Sequence, residues 1–253
     1  MLKIALSGCN GRMGQAITRL CKNYDNVEIV AGFDLYTEKL STYPVYAHPF
    51  EYTGEADVIV DFSNPVALPD LLKYAEEKKL PVVLATTGYS ESDIAAIKAA
   101  SEKVAIFKSA NMSLGINVVA KLLKAAAAIL GNGYDVEIIE RHHNQKLDAP
   151  SGTALMIADA LKDTRDIETE YVYNRQPLHQ KRQPSEIGIH VARGGTIVGE
   201  HEVIFAGKDE VITLSHSAAS RNVFAEGAVR AAVFLNGKSA GMYDMNSIVD
   251  SMI

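Results

Sequence analysis

Leu2-Lys3-Ile4-Ala5-Leu6-Ser7-Gly8-Cys9-Asn10-Gly11-Arg12-Met13-Gly14 runs from an apolar stretch through a glycine-rich turn into a helical pattern. Leu2 to Leu6 reads as a buried strand and Met13 to Tyr24 as a helix. Strand, glycine turn and helix in that order are the context a dinucleotide-binding fingerprint demands. Glycine permits positive φ and lets a pyrophosphate approach backbone N–H groups at the helix N-terminus. The spacing departs from G-x-G-x-x-G, because Asn10 stands at the middle glycine. Asn tolerates the left-handed region, so the turn is expected to survive. Asp34 ends the second strand about 20 residues past Gly14, where an acid hydrogen-bonds a ribose hydroxyl. It repels a 2′-phosphate and favours NAD, while Arg12 and Lys39 can accept NADP, so NADH or dual use is expected. A tight turn with no ligand is the competing reading; the strand context and Asp34 weigh against it.

Outward from this turn, short apolar strands alternate with helical patterns. Val27 to Phe33, Val58 to Phe62, Pro81 to Ala85 and Val104 to Lys108 read as strands. Helices are expected from about Pro65 to Lys79, capped by Ser63 or Asn64, and from Ser90 to Ser101. Such alternation implies a parallel sheet. Phe62 and Thr86 to Gly88 follow strands of that sheet, where ligands of open α/β sheets bind. After Met112 the pattern changes. An Ala-rich helix, Leu114 to Leu130, closes at Gly131-Asn132-Gly133. A strand at Val136 to Ile139 and a helix at Ser151 to Lys162 follow. Glu186 to Ala192, Ile197 to Phe205 and Val211 to Ser215 read as alternating antiparallel strands, and Glu168 to Ser185 as loop with a little strand. A last helix, Val223 to Leu235, and the tail Met242 to Ile253 are placed back with the first domain. The expected fold is an α/β Rossmann-type domain, 1–112 with 220–253, plus an α+β domain with a mixed open sheet, 113–219.

The composition is that of an ordinary globular protein, 47% hydrophobic and 22% charged over 253 residues. A net charge of -6 leaves a nucleic-acid role without electrostatic support. Cys9 and Cys21 form no framework and read as reduced thiols of a cytoplasmic protein. The apolar N-terminal run is too short for a signal segment, and no other run is expected to approach the roughly 20 apolar residues of a membrane span.

The chemistry points to Glu137-Ile138-Ile139-Glu140-Arg141-His142-His143-Asn144-Gln145-Lys146-Leu147-Asp148-Ala149-Pro150-Ser151-Gly152-Thr153. A histidine is a proton donor near neutral pH, and Lys146 is a fixed cation for a carboxylate. Ser151-Gly152-Thr153 offers hydroxyls and N–H groups at a positive helix end. His142 and His143 alternate faces if the strand continues, so one of them meets a given ligand. Ser151 as a mere N-cap and Asp148 as a partner of Lys146 are the plainer readings. A metal site would need ligands beyond the two histidines, and no Cys or Glu stands at trusted spacing. The segment suits binding and protonating a substrate that bears carboxylates.

Almost the whole chain resembles the dihydrodipicolinate reductase (4-hydroxy-tetrahydrodipicolinate reductase) family of the diaminopimelate route to lysine. The pattern His-His-x-x-Lys-x-Asp-Ala-Pro-Ser-Gly-Thr-Ala from His142 to Ala154 carries it most specifically. Gly11-Arg12-Met13-Gly14, Thr86-Thr87-Gly88, Asn111 to Asn117, Arg193-Gly194-Gly195 and Ser220 to Arg230 add to it. The resemblance implies that His142 is the general acid and Lys146 a second essential residue that holds the substrate. It implies that His143, Ser151, Gly152 and Thr153 bind a cyclic dicarboxylate. It places Gly8, Asn10, Gly11, Arg12, Met13, Gly14, Asp34, Gly88, Ala110, Asn111 and Met112 on the cofactor, to which the strand-end reading adds Phe62 and Thr86, and implies a homotetramer. Hydride from NADH or NADPH would reach ring C4, and His142 would protonate C3, with closure about hinges near Met112-Ser113 and Ser220. Leu35 departs from relatives that carry Arg after the acid, which weakens an NADPH preference. Two other readings stand beside this one. The first is another two-domain imine or amino-acid dehydrogenase, and the second a non-catalytic dinucleotide sensor.

Overall fold

The computed structural model describes residues 1–109 and 111–252. The chain forms two compact units, Met1–Leu114 with Arg221–Ile253, and Gly115–Ser220. The first unit opens with β1 (Leu2–Ser7), α1 (Arg12–Cys21), β2 (Val27–Phe33), β3 (Val45–Tyr46) and β4 (Val58–Asp61). It continues through α2 (Leu68–Lys78), β5 (Val82–Leu84), α3 (Glu91–Ser101) and β6 (Ala105–Lys108). The second unit holds α4 (Leu114–Leu130) from its second residue, then β7 (Asp135–His142), α5 (Gly152–Lys162), β8 (Glu170–Val172), β9 (Glu186–Arg193), β10 (Gly199–Ala206) and β11 (Val211–Ala218). The chain returns to the first unit with α6 (Asn222–Leu235), β12 (Gly241–Tyr243) and α7 (Met245–Asp250).

The first unit is built on a seven-stranded sheet of order β12-β6-β5-β4-β1-β2-β3, all pairs parallel. Its central strands β1, β4, β5 and β6 are buried almost throughout on both faces, which is why they read as apolar runs. Ile4, Leu6, Val58 and Val60 pack with Ile17, Ala228, Leu235 and Ile248 on one face. Ala5, Ile59, Val82 and Leu84 pack with Leu71, Tyr74 and Ile97 on the other. The sheet order reverses at β1, so the ligand crevice of this topology falls at the carboxyl ends of β1 and β4. The expected α/β plan holds, with differences at the ends. The first helix stops at Cys21, three residues short of Tyr24, where the chain turns towards β2. The second begins as a 3-10 turn, Pro65–Ala67, whose cap is Asn64, accepting from Val66 N. Ser90 caps α3 in a reciprocal capping box with Asp93.

The second unit has a five-stranded mixed sheet of order β11-β10-β7-β9-β8. The expected antiparallel neighbours β9 and β10 do not pair. β7 lies between them, parallel to β9 and antiparallel to β10. Only β10 and β11 form the expected antiparallel pair. Val136 and Ile138 share a core with Val203, Phe205 and the helix residues Ile116, Leu123, Ile157 and Leu161. β7 runs three residues beyond Ile139, so the face that begins with Val136 and Ile138 ends in Glu140 and His142. One expectation about membrane spans is corrected. Leu114–Gly133 is long and apolar enough to cross a membrane by length and composition. One stripe of it, Ile116, Leu123 and Ala127, lies in this core, and Lys121 and Lys124 interrupt its length.

Candidate functional site

In the first unit the glycine turn is held by backbone. Gly8 has φ +73°, and a Cβ there would lie 2.5 Å from Phe62 O. A Cβ on Gly14 would lie 2.2 Å from Gly8 O and 2.6 Å from the backbone of Cys9. Asn10 contradicts its sequence reading. Only Lys79 and His179 among the described non-glycine residues have positive φ, so Asn10 is not left-handed. It is a strut instead: Nδ2 donates to Tyr36 O at 2.6 Å and Glu38 O at 2.9 Å, tying the turn to the loop after β2. Its backbone N–H donates to Asp34 Oδ2 at 3.0 Å, and Tyr36 N donates to Oδ1 at 3.1 Å. Gly11, the N-cap of α1, brings no side-chain acceptor, and the first turn, from Arg12 and Met13, has no acidic residue. A positive helix end left without an internal anion fits a dinucleotide pyrophosphate.

Beyond β4, buried Asp61 organises the neighbouring loops, a role sequence reasoning missed. It accepts from Ser63 Oγ at 2.5 Å and from Thr86 Oγ1 at 2.7 Å, which commits the Thr86 hydroxyl. Tyr89 OH also reaches it at 3.4 Å, and burial together with the Asp61 charge pushes the Tyr89 phenol up. Gly88 has φ +84° with open space where a Cβ would stand. Phe62 is half-buried against the core. Asn111 Oδ1 accepts from Ser113 N at 2.9 Å, and Met112 is buried in that same core. Ala110 lies outside the described residues.

In the second unit, the end of β7 meets the start of α5 around Glu140, which is fully buried. Its Oε2 accepts from Arg193 Nη1 at 2.7 Å and lies 2.6 Å from His142 Nδ1. Its Oε1 accepts from Arg193 Nη2 and from Ser151 N, both at 2.9 Å. Burial pushes this carboxyl up, but the bonds from His142, Arg193 and Ser151 outweigh it and hold it at about 2. His142 is itself 8% exposed and meets the buried His201 edge-on, ring centroids 5.2 Å apart. Burial and the neighbouring His142 push His201 down to about 4, so it stays neutral at working pH. Ser151 caps α5, its Oγ accepting from Ala154 N at 3.1 Å and lying 3.0 Å from His201 Nε2. The plainer reading of Ser151 as a cap therefore describes this hydroxyl.

Lys146 Nζ pairs with Asp148 Oδ1 at 2.8 Å. Burial raises the Asp148 carboxyl, but Lys146 and the N–H of Gly152 bring it below its ordinary range. The cation offered to a substrate carboxylate is thus already paired with an internal carboxylate. Gly152 is exposed, and a Cβ there would meet nothing within 4 Å. His143 is half-buried and Thr153 follows at the start of the helix. Among the described residues no three His, Cys, Asp or Glu stand close enough to hold a metal ion. The missed members, Arg193 and His201, arrive through sheet register. Arg193 lies opposite His142, and His201 opposite Glu140. Glu140 itself had a signal, two residues before His142 on the same strand face.

The family model described as dihydrodipicolinate reductase, N-terminus, matches residues 2–112, and that for the C-terminus matches residues 115–249. A 4-hydroxy-tetrahydrodipicolinate reductase of Caldanaerobacter subterraneus subsp. tengcongensis is 53% identical over 98% of either chain. One of Clostridium tetani is 50% identical over 99% of this chain and 98% of its own. The dipicolinate-bound dihydrodipicolinate reductase of Paenisporosarcina sp. TG-14 superposes with a TM-score of 0.82 at 25% identity, covering 97% of this chain and 99% of that one. With both halves matched by the family models and relatives half identical along its length, the chain belongs to the dihydrodipicolinate reductase family.

Proposed function

We propose that this chain reduces 4-hydroxy-tetrahydrodipicolinate to tetrahydrodipicolinate on the route to diaminopimelate and lysine. The observation that carries the reading is local to the second unit. An imidazole on a buried carboxylate, an ammonium and a helix N-terminus fall within one segment, His142 to Thr153. That set matches a ring bearing two carboxylates and needing one proton. The dipicolinate held by the Paenisporosarcina relative is such a ring.

A bound NADH or NADPH supplies the hydride, delivered to C4 of the ring's conjugated imine. Gly8 to Gly14 accommodate its pyrophosphate and Asp34 its ribose, with NADH preferred or both used. Phe62, Thr86, Gly88 and Ala110 to Met112 complete that side. His142 gives the proton to C3. Lys146 and the N–H groups of Gly152 and Thr153 hold one carboxylate, with His143 beside them. Each charge-assisted contact of this kind contributes roughly 1.5–3 kcal/mol. The incoming carboxylate replaces that of Asp148 on Lys146, so binding is an exchange of anions. The sheet face bearing Ile139, Arg141, Glu202 and Ile204, away from the helix-covered core, is where copies pack into a homotetramer. The reaction is placed in the cytoplasm, where Cys9 and Cys21 stay reduced. Both are free and buried, and burial pushes their thiols up to about 12 and about 11.

Gly152 gives a test that separates ligand from fold. Alanine there meets no protein atom and is a better helix former than glycine. We expect Gly152→Ala to keep or slightly raise the unfolding temperature while weakening pyridine-2,6-dicarboxylate by about 10-fold or more, because the added methyl keeps the carboxylate from closing on the N–H groups and so forfeits about one charge-assisted contact. Calorimetric titration reads the affinity, and unchanged binding places the carboxylate elsewhere. Assaying the cyclic imine against simple keto acids decides between this reductase and another dehydrogenase on the same plan. Cofactor oxidation with either excludes a mere sensor.

A further inference from the structure

Glu140 has four nitrogen partners on two oxygens and no exposure. Three of them, the Arg193 fork and Ser151 N, can only donate. A carboxylate so satisfied is an ionised acceptor, and it has no proton to give His142. The proton in the 2.6 Å contact therefore belongs to His142 Nδ1, in the neutral ring as in the charged one. The ring's second proton can then come and go only at Nε2. That atom lies 3.0 Å from where a Cβ on Gly199 would stand, so any side chain at the start of β10 would press on it.

We propose that Glu140, locked by Arg193 and Ser151 N, is the positioning residue that fixes His142 as the Nδ1–H tautomer and makes Nε2 the atom that delivers the proton. The inference rests on the reductase reading for its chemistry, but not for the tautomer. The same carboxylate ties the acid to the α5 N-terminus, because Oε1 takes Ser151 N while Oε2 takes His142. The acid and the carboxylate grip are thereby held to a common point. A buried carboxylate that only orients is a known device, and loss of tautomer control lowers turnover by up to about 10⁴-fold. Gln at this position keeps the shape but can donate to Nδ1, which favours the wrong tautomer and sets an amide against the Arg193 fork.

The test combines two measurements. Nitrogen-15 NMR of the histidine rings in the wild-type chain, assigned by loss of the His142 signals in His142→Gln, reports the neutral tautomer. We expect Nδ1–H. Glu140→Gln should then lower kcat by about 10²–10⁴-fold while KM and the affinity for pyridine-2,6-dicarboxylate change by less than about 3-fold. An Nε2–H tautomer in the wild type overturns the proposal, as does a Glu140→Gln enzyme with undiminished kcat. A loss confined to KM also overturns it. If Glu140→Gln does not fold, the wild-type tautomer decides alone. Failure of the wild-type chain to turn over would contradict the reductase reading and leave the tautomer result standing.

Discussion

Replacing His142 by glutamine is expected to lower kcat by about 10²–10⁴-fold, the usual loss when a general acid is removed. Glutamine fills much of the ring's volume, and its amide can still donate to Glu140 Oε2, so the buried cluster keeps its carboxylate partner. What it lacks is a transferable proton. In the proposed reaction, hydride addition at C4 leaves an electron-rich ring whose C3 must be protonated, and water at neutral pH is a poor acid for that step. KM for the ring should stay within a few-fold, because the proposed carboxylate ligands, Lys146 and the α5 N-terminus, remain. Steady-state kinetics with substrate generated in situ read both constants. Undiminished turnover would remove His142 from the mechanism, and a large rise in KM alone would make it a binding residue.

Gly14→Ala is expected to cost about 3 kcal/mol of stability or more, towards the upper end for overpacking. The added methyl would stand 2.2 Å from Gly8 O and 2.6 Å from the Cys9 backbone. These are main-chain atoms, so no side chain can swing aside. Gly8 cannot absorb the shift cheaply, since it already holds φ +73° against Phe62. Either the β1–α1 turn opens or α1 moves away from the sheet. In both cases the N–H groups proposed to face a pyrophosphate are misplaced, and NADH affinity should fall with the unfolding temperature. Thermal unfolding and fluorescence titration with NADH test this. An alanine variant with unchanged stability and affinity would mean the turn is not packed as described.

The first unit was largely legible because its signals are local. The central strands are buried on both faces and bounded by turn residues, and the helices carry caps such as Asn64 and Ser90. β3 and β12 were not legible. With two and three residues they have no pattern of their own and exist by pairing with β2 and β6. In the second unit the strands were visible but their order was not. The turn Arg193-Gly194-Gly195 looks like a hairpin between β9 and β10, yet β7 enters between them from over 40 residues earlier in the chain. The site divides in the same way. His142, Lys146 and Ser151 stand in one segment, whereas Arg193 and His201 reach it through register. Asn10 is not legible from backbone tolerance, because its place in the turn is set by side-chain bonds to Tyr36 and Glu38, which lie over 20 residues further along the chain.

The most direct measurement follows the hydride itself. The chain is incubated with NADH or NADPH carrying deuterium at nicotinamide C4, with 4-hydroxy-tetrahydrodipicolinate formed in situ, and the ring product is weighed by mass spectrometry. The account predicts stoichiometric cofactor oxidation, with deuterium at C4 of tetrahydrodipicolinate when the transferred face carries the label. Cofactor left unoxidised in the presence of substrate, or a reduced ring that never acquires deuterium from either face, would contradict it.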